Sequence, residues 1–294
     1  MPPSQNGASA SDWLRTLPLY LLPHHAISRL VGVITKARWA PFKDRLIRLF
    51  TWRYGVDLGE ARYREPAAYR HFNAFFTRAL RDGARPQPND PDQVACPADG
   101  RLSQIGTVEQ GRLFQSKGRW YGLSDLLGDA DLAQELRGGL FATIYLAPPD
   151  YHRIHMPVAG RLRAMTHIPG RLFSVAPHTV RTVPGLFVRN ERVVTAFDGA
   201  NGPMALVLVG AVCVGSIETN WHGVVTPPSA TRQQRWSYDT TRPYYGRGAE
   251  MARFNMGSTA ILIMGAEQAR WHEAYEPGQK VQVGEALGAL TAPG

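Results

Sequence analysis

The chain predicts an α+β fold: amphipathic helices over residues 1–85, then an antiparallel β body of sandwich or hybrid-barrel type over 86–294. Three observations lead there. Apolar residues recur at helical spacing in the first third; from about Cys96 onward short apolar runs alternate with turn signals; and 29 Gly and 22 Pro among 294 residues supply many turns. The length is ample for a buried core, and 44% hydrophobic with 19% charged residues fits a folded protein.

In the helical region Ile27, Leu30, Val31 and Ile34 follow an i, i+3, i+4, i+7 spacing. Trp39, Phe42, Leu46, Leu49 and Phe50 continue a similar stripe, flanked by Lys43, Arg45, Arg48 and Arg53. The pattern from Pro66 to Arg85 still reads as helix, with Phe72, Phe75 and Phe76 on one side. Pro86, Pro88, Asn89, Asp90 and Pro91 then break it. Strands are expected at 140–146, 186–188, 193–197, 205–214, 260–264 and 281–283.

The net charge of +9 is unevenly spread: residues 1–90 hold 14 Lys/Arg against 7 Asp/Glu. Basic segments meet nucleic acid or anionic lipid. Here the basic residues lie in apolar stripes without a base-stacking platform, which favours an anionic membrane and disfavours nucleic acid. A pair of helices packed on their own domain with a solvated basic face is the plainer alternative. Trp39, Phe42, Lys43, Arg45, Leu46, Arg48 and Phe50 are the expected membrane contacts. No apolar run reaches the roughly 18–20 residues that cross a bilayer, so neither a transmembrane anchor nor a secretion signal is expected. Cys96 and Cys213 sit in separate apolar settings and support neither a disulfide framework nor a metal site, which points to a reducing compartment.

Two segments of the β body resemble one another: Pro97-Ala98-Asp99-Gly100-Arg101-Leu102 and Pro157-Val158-Ala159-Gly160-Arg161-Leu162. Each reads as a glycine turn leading into a strand. Glu276-Pro277-Gly278 through Leu287 looks like the turn-and-strand signature of lipoyl and biotinyl domains, without a lysine at the turn tip.

The sharpest chemical signal is Gly257-Ser258-Thr259, after Glu250-Met251-Ala252-Arg253-Phe254 and before an apolar run. Glycine tolerates strained backbone and leaves its carbonyl open, and the serine hydroxyl one residue on is placed for an N-to-O acyl shift. Taken alone the tripeptide is an ordinary turn. Asp99 and His155 each stand beside one of the glycine turns, so the two can converge at one sheet edge. Asp, His and Ser make up the set that activates a serine hydroxyl. A hydrogen-bonded structural histidine and an ordinary Asp-Gly turn are the bland alternatives.

Several longer motifs, in order, carry a resemblance. They are Tyr69-Arg70-His71-Phe72-Asn73-Ala74-Phe75-Phe76, Leu80-Arg81-Asp82-Gly83-Ala84-Arg85-Pro86, Pro97-Ala98-Asp99-Gly100, Tyr151-His152-Arg153-Ile154-His155-Met156-Pro157, Phe187-Val188-Arg189-Asn190-Glu191-Arg192 and Val214-Gly215-Ser216-Ile217-Glu218-Thr219. From roughly Trp52 to Gly294 the chain resembles the phosphatidylserine decarboxylases of the membrane-associated type with a Gly-Ser-Thr processing site.

That resemblance implies a self-processing proenzyme in which Asp99, His155 and Ser258 form the cleavage triad, with His155 as general base. Attack on the Gly257 carbonyl gives an ester, and elimination and hydrolysis leave a pyruvoyl group at position 258. The products are a β chain of 1–257 and an α chain of 258–294 that stay together, with a homo-oligomer left open. The pyruvoyl ketone, derived from Ser258, is implied to condense with the substrate amine and act as electron sink for loss of CO2, yielding phosphatidylethanolamine. His152 is implied to assist decarboxylation or reprotonation. No metal is implied, and the expected location is peripheral, on the cytoplasmic face of the cell membrane.

Ala176 stands where the family pattern leads one to expect Asn, and Ala252 where one expects Gly; His178 nearby is a candidate replacement contact. Two other readings compete: a Ser-His-Asp lipid hydrolase, although the Gly-x-Ser-x-Gly elbow is absent, and a non-catalytic lipid-binding barrel.

Overall fold

The computed structural model describes residues 7–212, 216–226, 231–255 and 257–292. Three helices come first: α1 (Ala10–Leu21), α2 (His24–Thr35) and α3 (Ala40–Tyr54). Ser9 and Asp12 close a capping box at the start of α1, and Gly55, left-handed at φ 64°, ends α3. The stretch predicted as helix from Pro66 to Arg85 holds only a 3-10 turn, Pro66–Ala68, and the short α4 (Phe72–Phe76). Its aromatic rings do lie together, packed on Ile47, Phe50 and Tyr69 as a small core of their own. Beyond Phe76 the chain pairs Leu80 with Ala61 in an isolated bridge, so local periodicity yields to a tertiary contact.

The β body follows, with β1 (Gln93–Ala95), β2 (Gly100–Thr107), the hairpin β3 (Arg112–Ser116) and β4 (Arg119–Gly122), helices α5 (Leu123–Leu127) and α6 (Ala130–Glu135), β5 (Leu140–Leu146), β6 (Arg153–His155) and β7 (Gly160–Ile168). Next come α7 (Pro177–Thr182), α8 (Leu186–Arg189), β8 (Arg192–Gly199), β9 (Gly202–Gly210), β10 (Ile217–Thr219), β11 (Gly223–Val224), β12 (Gln234–Ser237) and β13 (Tyr244–Tyr245). The last five strands are β14 (Glu250–Phe254), β15 (Ser258–Met264), β16 (Ala269–Trp271), β17 (Lys280–Val281) and β18 (Ala286–Leu290).

The main sheet is antiparallel and open, in the order β12-β7-β8-β9-β15-β5-β2-β17, with β13 beside β7. It is not a closed barrel among the described residues. Smaller sheets β11-β10-β14-β6 and β1-β18-β16 face one side of it, sandwiching Ile154, Met251, Phe254 and Leu287 against Leu206, Ala260 and Leu262. The other side is covered by α5–α8 and the β3–β4 hairpin, with Leu126, Phe187 and Val180 against Val207, Ile261 and Ile263. Both faces are therefore dry, which is why β9 and β15 read as unbroken apolar runs instead of alternating ones.

Three strand expectations change: of 281–283 only Val281 is strand, as the end of β17. Residues 186–188 form the start of α8, launched by the left-handed Gly185 (φ 60°), a helix too short to display its period. β9 stops at Gly210, short of the expected 214; Cys213, Val214 and Gly215 lie outside the described residues. Cys96 is buried and its thiol pKa is raised by desolvation. Ala176 is the N-cap residue of α7, where no side chain caps the helix. Ala252 is a core residue of β14, opposite Ile154 and Thr219. His178 lies in α7, with Asp12, Arg15 and Arg181 as its charged neighbours.

Candidate functional site

The two look-alike glycine turns meet each other. The amide of Ala95 donates to the Pro157 carbonyl and that of His155 to the Pro97 carbonyl, both at 2.9 Å, a reciprocal antiparallel pairing that brings the two turns to one junction. Gly100 is required there: a Cβ would lie 2.2 Å from the Tyr145 carbonyl oxygen on β5. Ser258 opens β15 at the same end of the sheet, opposite Leu146 of β5 and Gly210 of β9.

The side chains divide less simply than a triad. The Asp99 carboxylate is held by Arg85, whose Nε donates at 2.9 and 3.1 Å, and by the Val283 amide at 2.8 Å. His155 uses both ring nitrogens. Nδ1 lies 2.7 Å from the Gly248 carbonyl, an acceptor only, so Nδ1 carries the proton; Nε2 then accepts from the Tyr151 hydroxyl at 3.0 Å. Burial lowers the His155 pKa; the Gly248 hydrogen bond, then the Glu250 charge and last the Asp99 charge pull it partly back. Ser258 is fully buried and its Oγ has no hydrogen-bond partner. Asp99, His155 and Ser258 thus share a junction without hydrogen bonds linking them.

At Gly257 a Cβ would meet nothing within 4 Å among the described residues, so the space beside this glycine is open. Met256 lies outside the described residues.

His152 is completely buried against Phe76, ring centroids 4.1 Å apart. Its Nδ1 donates to the Asp150 carbonyl at 2.8 Å, which leaves the Nε2 lone pair without a partner. Burial drives its pKa from 6.5 to about 3, with the nearby Arg78 charge adding to the shift. The unfolded chain takes up a proton below about 6.5 that the fold refuses until about 3, so this histidine costs stability as pH falls through that window. Urea midpoints at pH 7 and pH 5 will show wild type losing stability toward acid. His152→Gln will lose less, the slope shallower by up to about 1.4 kcal/mol per pH unit; equal slopes would refute the assignment.

The membrane contacts expected from sequence also divide. Trp39 (71% exposed), Phe42, Arg45 and Arg48 face outward. Lys43 does not: it is 6% exposed, pairs with Asp44 and donates to the Pro66 carbonyl at 3.3 Å. Leu46 and Phe50 are half-buried on the aromatic cluster of α4. The sequence stripe also held Leu49 and Leu30, and docking was expected from about Leu14 to Phe50; Leu49 and the apolar faces of α1 and α2 at Leu14, Leu21, Leu30 and Val33 are indeed bare, while Trp52 (78% exposed), one turn on, was missed. No single helix is long and apolar enough to cross a membrane; α1 and α2 together would be, but they are bent by 86°.

Comparison with known proteins matches residues 72–289 to the family model described as phosphatidylserine decarboxylase, and residues 14–55 to one described as PSD. A phosphatidylserine decarboxylase proenzyme of Pseudomonas aeruginosa (strain LESB58) is 52% identical over 282 residues, covering 95% of this chain and 98% of the relative. The proenzyme of Bordetella pertussis (strain Tohama I) is 52% identical over 279 residues, 94% of each chain. That of Pseudomonas paraeruginosa reaches 54% over 271 residues, 91% of this chain and 94% of the relative.

Proposed function

Because this chain belongs to the phosphatidylserine decarboxylase family and is a carboxy-lyase acting on phosphatidylserine, we propose that it makes a pyruvoyl group from its own Ser258 and works at a membrane surface. The observation that carries the reading is the state of Ser258: a fully buried hydroxyl with no partner, directly after a glycine, at the head of a central strand. A buried polar atom left unpaired costs stability, and a reactive role accounts for its retention.

In the proposed processing Ser258 Oγ displaces Tyr151 at His155 Nε2, gives up its proton there and attacks the Gly257 carbonyl carbon. The new C–O bond replaces the C–N bond, and the amine of residue 258 takes the proton. Loss of the Ser258 α-proton then expels the Gly257 carboxylate and leaves a dehydroalanine; a proton returned to its β-carbon gives the imine, and water replaces the imine nitrogen, releasing ammonia and leaving a ketone. Neutral His155, its tautomer set by the Gly248 carbonyl, is the base; Asp99 favours its charged form at a distance rather than through a hydrogen bond. The ketone supplies an electron sink for the bond to CO2. His152 Nε2, buried and unpartnered, is the proposed group that handles the proton at the substrate α-carbon.

Intact-mass spectrometry of purified wild type tests the reading. The expected result is two species, residues 1–257 and 258–294, the smaller with a ketone in place of its terminal amine; a single intact mass would refute it.

The bare apolar faces of α1–α3, edged by Arg45, Arg48 and Arg53, support peripheral docking on anionic lipid. Near such a surface each basic residue contributes about 1 kcal/mol. Changing these three arginines to Glu is expected to weaken phosphatidylserine-vesicle binding at least about 100-fold in a sedimentation assay while processing continues. Unchanged binding would refute the docking surface.

A further inference from the structure

Among the described buried cations that the processing chemistry leaves unused, Arg78, just past α4, is the one with unpartnered donors: Lys43 and Arg192 have theirs placed. It is 5% exposed, its Nη2 donates to the Pro149 carbonyl at 2.9 Å, and its Nε and Nη1 have no hydrogen-bond partner. No carboxylate among the described residues lies within ion-pair distance; Asp99 and Asp150 act on Arg78 only through longer-range charge, which burial outweighs, and its guanidinium carbon lies 5.7 Å from the Phe75 ring centroid. A guanidinium removed from water with two idle N–H groups is costly unless an anion joins it.

Its surroundings indicate which anion. Pro149 and Asp150 lie on the segment from Leu146, the residue facing Ser258, to His152, whose Nδ1 bonds the Asp150 carbonyl. Unpartnered groups on Arg78, His152 and Ser258 therefore gather about one short stretch of chain. The substrate brings two anions, a carboxylate and a phosphodiester. A cation gripping the carboxylate would stabilise the ground state more than a transition state in which that charge is leaving, and so would oppose the reaction. The phosphodiester, three bonds from the α-carbon, keeps its charge throughout, and guanidinium suits phosphate oxygens.

Resting on the reading of Ser258 and His152 given above, we propose that Arg78 is the receptor for the phosphodiester of the lipid head group, its idle N–H groups donating to the phosphate oxygens. A phosphate there also cancels the positive charge that depresses His152, easing that imidazole toward the protonated form.

The test compares full-length wild type, Arg78→Gln and Arg78→Lys on phosphatidylserine in mixed micelles, with intact mass recorded for each. Arg78→Gln is expected to process itself, to raise the apparent KM about tenfold or more and to keep kcat within about threefold; Arg78→Lys should recover part of the KM. Glycerophosphoethanolamine should inhibit wild type better than inorganic phosphate, ethanolamine should not inhibit, and Arg78→Gln should be insensitive to all three. An unchanged KM, or a fall in kcat alone, would overturn the proposal. So would inhibition of wild type by ethanolamine as strong as by glycerophosphoethanolamine, a comparison that needs no variant. Failure of wild type to cut itself would instead sink the reading of Ser258, and the mass spectra separate the two failures.

Discussion

Ser258→Ala is expected to run as one uncut chain on a denaturing gel and to release no CO2 from phosphatidylserine, a loss of at least about 10³-fold. Folding is not the reason. The hydroxyl it removes is buried and bonded to nothing, so the substitution breaks no hydrogen bond and deletes an unsatisfied polar atom. The variant should be as stable as the uncut precursor or slightly more so, within about 1 kcal/mol. Normal thermal melting together with complete loss of scission assigns the effect to chemistry. Fragments of 1–257 and 258–294 from this variant, or residual decarboxylation, would remove the basis for a ketone derived from this residue.

Asp99→Ala should destabilise the fold by about 3–5 kcal/mol, because it strips a buried ion pair of one partner. The side chains of Arg85 and Asp99 are only 9% and 6% exposed. Desolvation of Arg85 is offset by Asp99 and by Glu60, and the net result is a guanidinium held more firmly charged than usual. Removing Asp99 leaves that charge with one half-exposed partner and takes the acceptor from the Val283 amide. Urea denaturation in the Ser258→Ala background measures this on a single covalent chain. A loss below about 1 kcal/mol would mean that the bridge is not the anchor described. The same variant should also slow processing modestly, since Asp99, after the Gly248 carbonyl and the Glu250 charge, adds to the basicity of His155.

Much of the architecture was legible because both periods are strong where they occur. The stripe of Ile27, Leu30, Val31 and Ile34 falls on α2, and the runs at 140–146 and 260–264 fall on β5 and β15. The failures have physical causes. Phe72, Phe75 and Phe76 share a face over barely more than one helical turn, yet the turns beyond it are replaced by a strand-like bridge and by Arg78 reaching to Pro149. Lys43 looks solvated in the sequence but folds back onto the Pro66 carbonyl, a contact between residues 23 apart that no local pattern encodes.

The site was legible as a set of residues and not as a wiring scheme. The repeated glycine turns announce the junction of Asp99 and His155. That Gly248 rather than Asp99 fixes the imidazole, that Tyr151 holds its other nitrogen, and that Arg85 occupies the carboxylate all depend on partners drawn from distant segments. Arg85 and Tyr151 stand inside motifs visible in the sequence, but their partners are not.

The position of β15 has a thermodynamic consequence. It lies between β5 and β9 near the middle of the main sheet, paired on both sides along its whole length from Ser258 to Met264. β17 and β18 stitch the rest of the same segment onto β2 and β1. The scission proposed before Ser258 would therefore free nothing, yet it would change the order of the unfolding reaction. An uncut chain melts as one molecule into one; a cut form would melt into two, so its midpoint should climb with protein concentration while that of the uncut variant stays constant.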